Sequence, residues 1–210
     1  MLGILIALCA TLATSNPTVA QNLLANPGFE DPITSDGAPF VGFWEGFQGG
    51  GAVSARDTTM PRNGAGHLSL IIDNANNTFA GAFQDVEGLA PGQLMDFSAW
   101  HKTTSVPYNL VSEMRIEWRK VGQAAEVSRT PNLLPVPTLD YSKVSLVAPV
   151  PAGADTARVV YAIQSFTNGT LPDVGTVFVD DVSLTVVPEP ATIGLWGLAL
   201  TSLAVARRRR

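Results

Sequence analysis

The chain has 210 residues, 46% of them hydrophobic and 15% charged, a size and balance that suit one globular body or two small ones. Thirteen basic residues stand against eighteen acidic ones, and four of the thirteen are the terminal arginines. The rest of the sequence is therefore strongly acidic, which excludes nucleic acid as a natural partner because like charge repels the phosphate backbone.

Residues 2–12 form an uninterrupted run of apolar or small side chains, shorter than the roughly 20 residues a spanning helix needs. Pro17 breaks that run, and Thr18 and Ala20 place small side chains at positions −3 and −1. The pattern predicts a secretory signal helix over residues 1–20, cut between Ala20 and Gln21. The single cysteine, Cys9, falls inside it, so the exported part has no thiol. Disulfides, thiol catalysis and Cys-ligated zinc are thereby excluded, and the body must be held by an apolar core, a bound metal ion, or both.

The body, residues 21–187, carries nine basic and seventeen acidic residues, a net charge of −8. No stretch of it repeats apolar residues at the helical period. Short runs rich in Val, Ile, Phe, Trp, Tyr and Thr alternate with Gly, Pro, Asn and Asp, which is the pattern of strands and turns. Strands are expected over residues 22–24, 42–47, 67–72, 80–86, 93–101, 112–120, 144–147, 157–164 and 176–186, with long loops at 49–63 and 124–138. Met114, Ile116 and Trp118 share one strand face, opposite Glu113, Arg115, Glu117 and Arg119. Ala157, Val159, Tyr161 and Ile163 form a similar set, as do Leu68, Leu70 and Ile72. About nine strands without a helix or repeat predict a single all-β sandwich.

Several segments, taken in order, resemble the carbohydrate-binding modules with a galactose-binding-like jelly roll. They are Asn22 to Glu30, with its Asn-Pro-Gly-Phe-Glu end; Leu89-Ala90-Pro91-Gly92 leading to Phe97-Ser98-Ala99-Trp100; Ala148-Pro149 followed by Ala157-Arg158-Val159; and Phe178 to Leu184. The resemblance implies a jelly-roll β-sandwich and a structural Ca²⁺ where the first turn meets the closing strand. Glu30, the Gly28 backbone and Asp180 are the matching ligands. Calcium takes six to eight hard oxygen donors, and parity along the closing strand sets Asp180 on the side of Phe178, Val182 and Leu184, where a carboxylate needs a compensating cation.

Glycan binding is the function the resemblance implies. Sugar clefts pair aromatic platforms with polar side chains. Trp100 and Trp44, with Tyr108 and the edge-binding Arg115, are the expected site, whereas parity assigns Trp118 and Tyr161 to the core. Catalysis has little support: His67 and His101 are the only histidines, and no zinc-binding spacing or nucleophile elbow occurs. Glu113 and Glu117 share a face, yet at about 3.3 Å per residue they lie about 13 Å apart, too far for a glycosidase pair. A structural matrix protein with no sugar site is the main alternative, and a surface glycan hydrolase the remoter one.

The end of the chain reads Pro188-Glu189-Pro190, then residues 191–206 without a charge, then four arginines at 207–210. Sixteen residues make a helix of about 24 Å, close to the hydrocarbon thickness of about 30 Å. The arginines fix its end in the cytoplasm and leave the body outside. These three elements in this order resemble the PEP-CTERM sorting signal. That resemblance implies a transmembrane helix over residues 191–206, recognition of Pro188, Glu189 and Pro190 by an exosortase-type membrane protease, and delivery of the body to the outer surface or the extracellular matrix, where an exopolysaccharide is the expected partner.

Overall fold

The structure, a computed structural model, describes residues 20–73, 78–165 and 174–188. Ten strands are present: β1 (Glu45–Gly49), β2 (Val53–Asp57), β3 (His67–Ile72), β4 (Phe79–Glu87), β5 (Leu94–Thr103), β6 (Val111–Arg119), β7 (Glu126–Arg129), β8 (Ser142–Pro149), β9 (Thr156–Gln164) and β10 (Gly175–Val186). They form two five-stranded antiparallel sheets, ordered β1-β4-β9-β6-β7 and β2-β3-β10-β5-β8. No helix occurs among the described residues, and the signal and membrane helices expected over residues 1–20 and 191–206 lie outside them, save for Ala20.

Alternation builds the core. Met114, Ile116 and Trp118 of β6 and Val159, Tyr161 and Ile163 of β9 face Leu68, Leu70 and Ile72 of β3 and Phe97 and Ala99 of β5. Each large side chain buried in this way contributes roughly 1.5–3 kcal/mol. The core also holds polar groups that are paired: Tyr161 Oη lies 2.6 Å from His101 Nδ1. Burial pushes the His101 imidazole down to about 4, so it is neutral.

The structure adds two strands that the sequence reading gave to loops. β2 and β7 are edge strands at the ends of the two sheets, and with no buried residue on either they lack the alternation that marks a strand buried on one face. Residues 22–24 form no strand, but they are tied to β10: Leu23 N donates to Leu184 O at 2.9 Å, and the Asn22 side chain bonds Val182 O and Leu184 N.

The closing strand departs from simple parity. A bulge lies between Asp180 and Ser183, with Asp181 at φ +46°. The core face of β10 is therefore Val177 and Val179 before the bulge, and Val182 and Leu184 after it. Phe178 and Asp180 point to the other side of the sheet, so Asp180 does not share a face with Val182 and Leu184. It is fully buried all the same, because residues 58–66 cross over that face. Arg62 N and Asn63 N both donate to Asp180 Oδ2, at 2.7 and 3.2 Å.

Candidate functional site

The outer face of the first sheet is built by the residues that alternate with the core set. On β4, Ala80, Ala82 and Val86 are buried in the core, which turns Phe79, Gly81, Phe83 and Asp85 outward. Phe47 of β1 lies opposite Gly81, and Gly49 opposite Phe79. Both glycines are required by these rings. A Cβ on Gly81 would come within 2.4 Å of the Phe47 ring, and one on Gly49 within 2.7 Å of the Phe79 ring. Without side chains at those positions the Phe47 ring closes over Gly81 and the Phe79 ring over Gly49. Phe47 is 6.2 Å from Phe79 and 6.1 Å from Phe83, centroid to centroid. Phe40 extends the row, 5.0 Å from Phe83. Arg158 of β9 sits between the last two rings, 4.8 Å from Phe40 and 4.0 Å from Phe83. Its fork is held by Asp85 at 2.6 and 2.9 Å.

The other half of the same face is polar. β6 turns Glu113, Arg115, Glu117 and Arg119 outward. Arg115 reaches both neighbours, donating to Glu113 and, at 2.9 and 2.7 Å, to Glu117 Oε1. Arg119 donates to Glu117 Oε2 at 2.7 Å. Glu113 Oε2 also accepts from Asn132 at 2.8 Å and Gln164 at 2.9 Å. Burial pushes the Glu117 carboxyl up, but the bonds from Arg119 and Arg115 outweigh it and hold the group below its usual range. Between the two halves lies a depression of about 180 Å³ lined by Phe47, Phe83, Arg115, Glu117, Arg158 and Val160. Arg158 also lines a wider cavity of about 430 Å³, walled by Ala38 and Phe40 on one side and residues 119–124 on the other.

Of the four residues expected to bind glycan, Arg115 alone stands on this face. Trp44 is a correction: it is buried, packed 4.9 Å from Phe29, with Nε1 donating to Asn26 O at 3.0 Å. No sugar reaches it. Trp100 lies on the outer side of the second sheet, where the Arg62 guanidinium covers its ring at 3.7 Å and is itself held by Asp181. Tyr108 packs against the core, its hydroxyl 2.5 Å from Ser112 Oγ, and burial pushes it up to about 12. The aromatic residues that line the outer face of the first sheet are instead phenylalanines. Their trace in the sequence is Phe79-Ala-Gly-Ala-Phe83, where the large residues share one parity with a glycine and the small ones share the other.

The residues expected to hold calcium do come together. The point where a Gly28 Cβ would stand is 3.4 Å from Glu30 Oε1 and 3.6 Å from Asp180 Oδ1, so two carboxylate oxygens converge on a cradle that a side chain would fill. Burial pushes the Asp180 carboxyl up, against the backbone N–H groups of Asn63, Asp181 and Arg62 that pull it down. The Phe29 carbonyl is engaged by Arg56 Nε at 2.8 Å, and Glu30 Oε2 accepts from Ala65 N at 2.9 Å. The chemistry of this donor set fits a hard cation. Among the described residues no cluster of three or more His, Cys, Asp or Glu side chains forms, so backbone oxygens would have to complete any shell. Among those residues, too, no helix is long and apolar enough to cross a membrane.

The fold defines the class: an all-β sandwich like those of carbohydrate-binding modules. Similar structures include TmCBM61 in complex with β-1,4-galactotriose (15% identity, TM-score 0.52, covering 80% of this chain and all of that one) and the CBM22-1 xylan-binding domain of Paenibacillus barcinonensis Xyn10C (13%, 0.52, 83% and all). The enzymatically active domain of tailspike protein 4 from bacteriophage CBA120 is also similar (17%, 0.60), but 79% of this chain covers only 21% of that one. No curated protein matches the chain. The second element of identity is at the end of the chain, where residues 186–210 match the PEP-CTERM protein-sorting motif. That motif indicates a protein exported and sorted to the surface.

Proposed function

We propose that the chain is a non-catalytic, surface-sorted module that binds a polysaccharide on the outer face of its first sheet. The observation that carries this reading is the row of partly exposed phenylalanine rings, tilted against one another, beside a fixed polar ladder. Sugars present an apolar C–H face and a hydroxyl edge, and the two halves of this face match them. The ladder favours binding over catalysis, because Glu113 and Glu117 are both engaged by guanidinium groups and neither is poised to give or take a proton. The fold it shares with modules that bind galactotriose and xylan agrees with the same reading. Affinity electrophoresis of the exported body in gels containing neutral polysaccharides tests it. Retarded migration on at least one of them is expected, and unchanged mobility of folded protein on all would refute the assignment.

The sorting route follows from the tail. An exosortase-type protease would recognise Pro188, Glu189 and Pro190 while residues 191–206 hold the precursor in the membrane, with the arginines on the cytoplasmic side. Ala20 and Gln21 would flank the earlier signal cleavage. Calcium would be held by Glu30, Asp180 and the Gly28 backbone. When bound, it supplies charge compensation for the buried Asp180 and fastens the first turn to β10. The thermal midpoint should therefore drop on adding a chelator and return with excess Ca²⁺. An unmoved midpoint would remove calcium from the account.

A further inference from the structure

Resting on that reading of the face, we infer that its preferred ligand is an acetylated, uncharged polysaccharide, whose acetyl groups set the specificity. The reason is an imbalance between donors and acceptors. Glu113 accepts from Arg115, Asn132 and Gln164, and Glu117 accepts twice from Arg115 and once from Arg119. The lone pairs of both carboxylates are thus largely spent inside the protein. Each guanidinium has five N–H donors. Arg158 uses two of them on Asp85, Arg129 two on Glu126, and Arg115 three on its glutamates. The depression lined by Phe47, Phe83, Arg115, Glu117, Arg158 and Val160 therefore offers several unpaired N–H groups and few free acceptors.

A hydroxyl is a poor match for such a surface. It accepts from an arginine, but its own O–H then finds no acceptor and loses its water, and an unmade buried hydrogen bond costs about 1–3 kcal/mol. An acetyl carbonyl only accepts, so it takes an N–H from Arg158 or Arg115 with nothing left over. Its methyl group meets Phe47 and Phe83, which line the same depression as those arginines. Carboxylated sugars also accept without donating, but they are the weaker candidates. Asp85, Glu113, Glu117 and Glu126 each stand beside an arginine, which leaves little net positive charge on the face, and the body as a whole is at −8.

Acetyl groups reach polysaccharides as esters or as amides, and two matched pairs of probes separate the sources. O-acetylated xylan is compared with the same xylan after mild alkaline de-esterification, and N-acetylchitohexaose with cellohexaose, which carries a hydroxyl in place of each acetamide. Titration calorimetry on the exported body should show at least a tenfold preference for the acetylated member of one pair, and Phe47→Ala should abolish that preference. The pair that shows it identifies ester or amide. Equal binding within both pairs, or a preference that survives Phe47→Ala, overturns the acetyl assignment and leaves glycan binding standing. Tighter binding to a polyuronate than to any of the four also overturns it. If no probe binds and neutral gels do not retard the protein, the glycan reading itself has failed.

Discussion

The two outer faces of the sandwich have had opposite fates. On the first sheet, Phe47, Phe79 and Phe83 are partly exposed, with an open depression beside them. On the second sheet the chain covers its own aromatic residues. Residues 58–66 cross from β2 to β3 and are pinned by Asp180, by Arg62 on Trp100, and by Tyr141 Oη donating to Met60 O at 3.0 Å. His67 and Phe178 are buried beneath, their rings 4.4 Å apart. An aromatic residue on a strand's outer side is thus no ligand platform by itself. What decides is whether the loops leave it free.

That contrast is open to attack on either side. The largest effect is expected on the covered face. Asp180→Ala removes the acceptor for the backbone N–H groups of Arg62, Asn63 and Asp181, and leaving such donors unmet costs about 1–3 kcal/mol each. Urea unfolding should show a loss of about 3 kcal/mol, and a loss below about 1 kcal/mol would mean that the crossing segment is held by something else.

Acid should act nearly as strongly. Burial holds the His67 and His101 imidazoles below their usual value. Below pH of about 6.5 the unfolded chain therefore binds protons that the folded one refuses. The stability contributed by keeping these two imidazoles neutral is complete above that pH and is lost as pH drops toward 4. His101 alone accounts for up to about 3 kcal/mol. His67→Phe should flatten part of the slope measured by thermal unfolding between pH 7 and 4, and an unchanged slope would show that His67 is already solvated.

The smallest change in free energy draws the sharpest line between the faces. Phe47→Ala should weaken polysaccharide binding tenfold or more, about 1.4 kcal/mol, with little loss of stability because the ring is not part of the core. Trp100→Ala should do the reverse, lowering the thermal midpoint and leaving retardation in polysaccharide gels unchanged. If Trp100→Ala abolishes binding, the two faces have been assigned the wrong way round.

Much of the sandwich could be read from residue order. The alternation of Met114, Ile116 and Trp118 predicted both the core and, by difference, the ladder of Glu113 to Arg119. The strand at residues 67–72 has the bounds that were expected. Four things were hidden, each for a physical reason. β2 and β7 are edge strands with no buried face to impose a period. The bulge at Asp181 changes parity within β10, so a residue assigned to the core side of the strand is buried on the other side, by a loop. Trp44 offered the size of a platform, but its burial depends on Phe29, fifteen residues earlier. The phenylalanine row was the costliest omission. Aromatic residues are ordinarily taken as core, and only Ala80 and Ala82, on the parity opposite to Phe79 and Phe83, reveal that small residues fill the inside there.

The way the body is fastened at its two ends has a practical result. Asn22 and Leu23 are tied to β10, and the last backbone bond, from Val187 N to Leu94 O at 2.8 Å, comes just before Pro188. No hydrogen bond of the described fold involves Pro188. Trimming the polypeptide back to this point would therefore take nothing from either sheet. Cut at the two proposed points, the polypeptide would keep every one of the ten described strands.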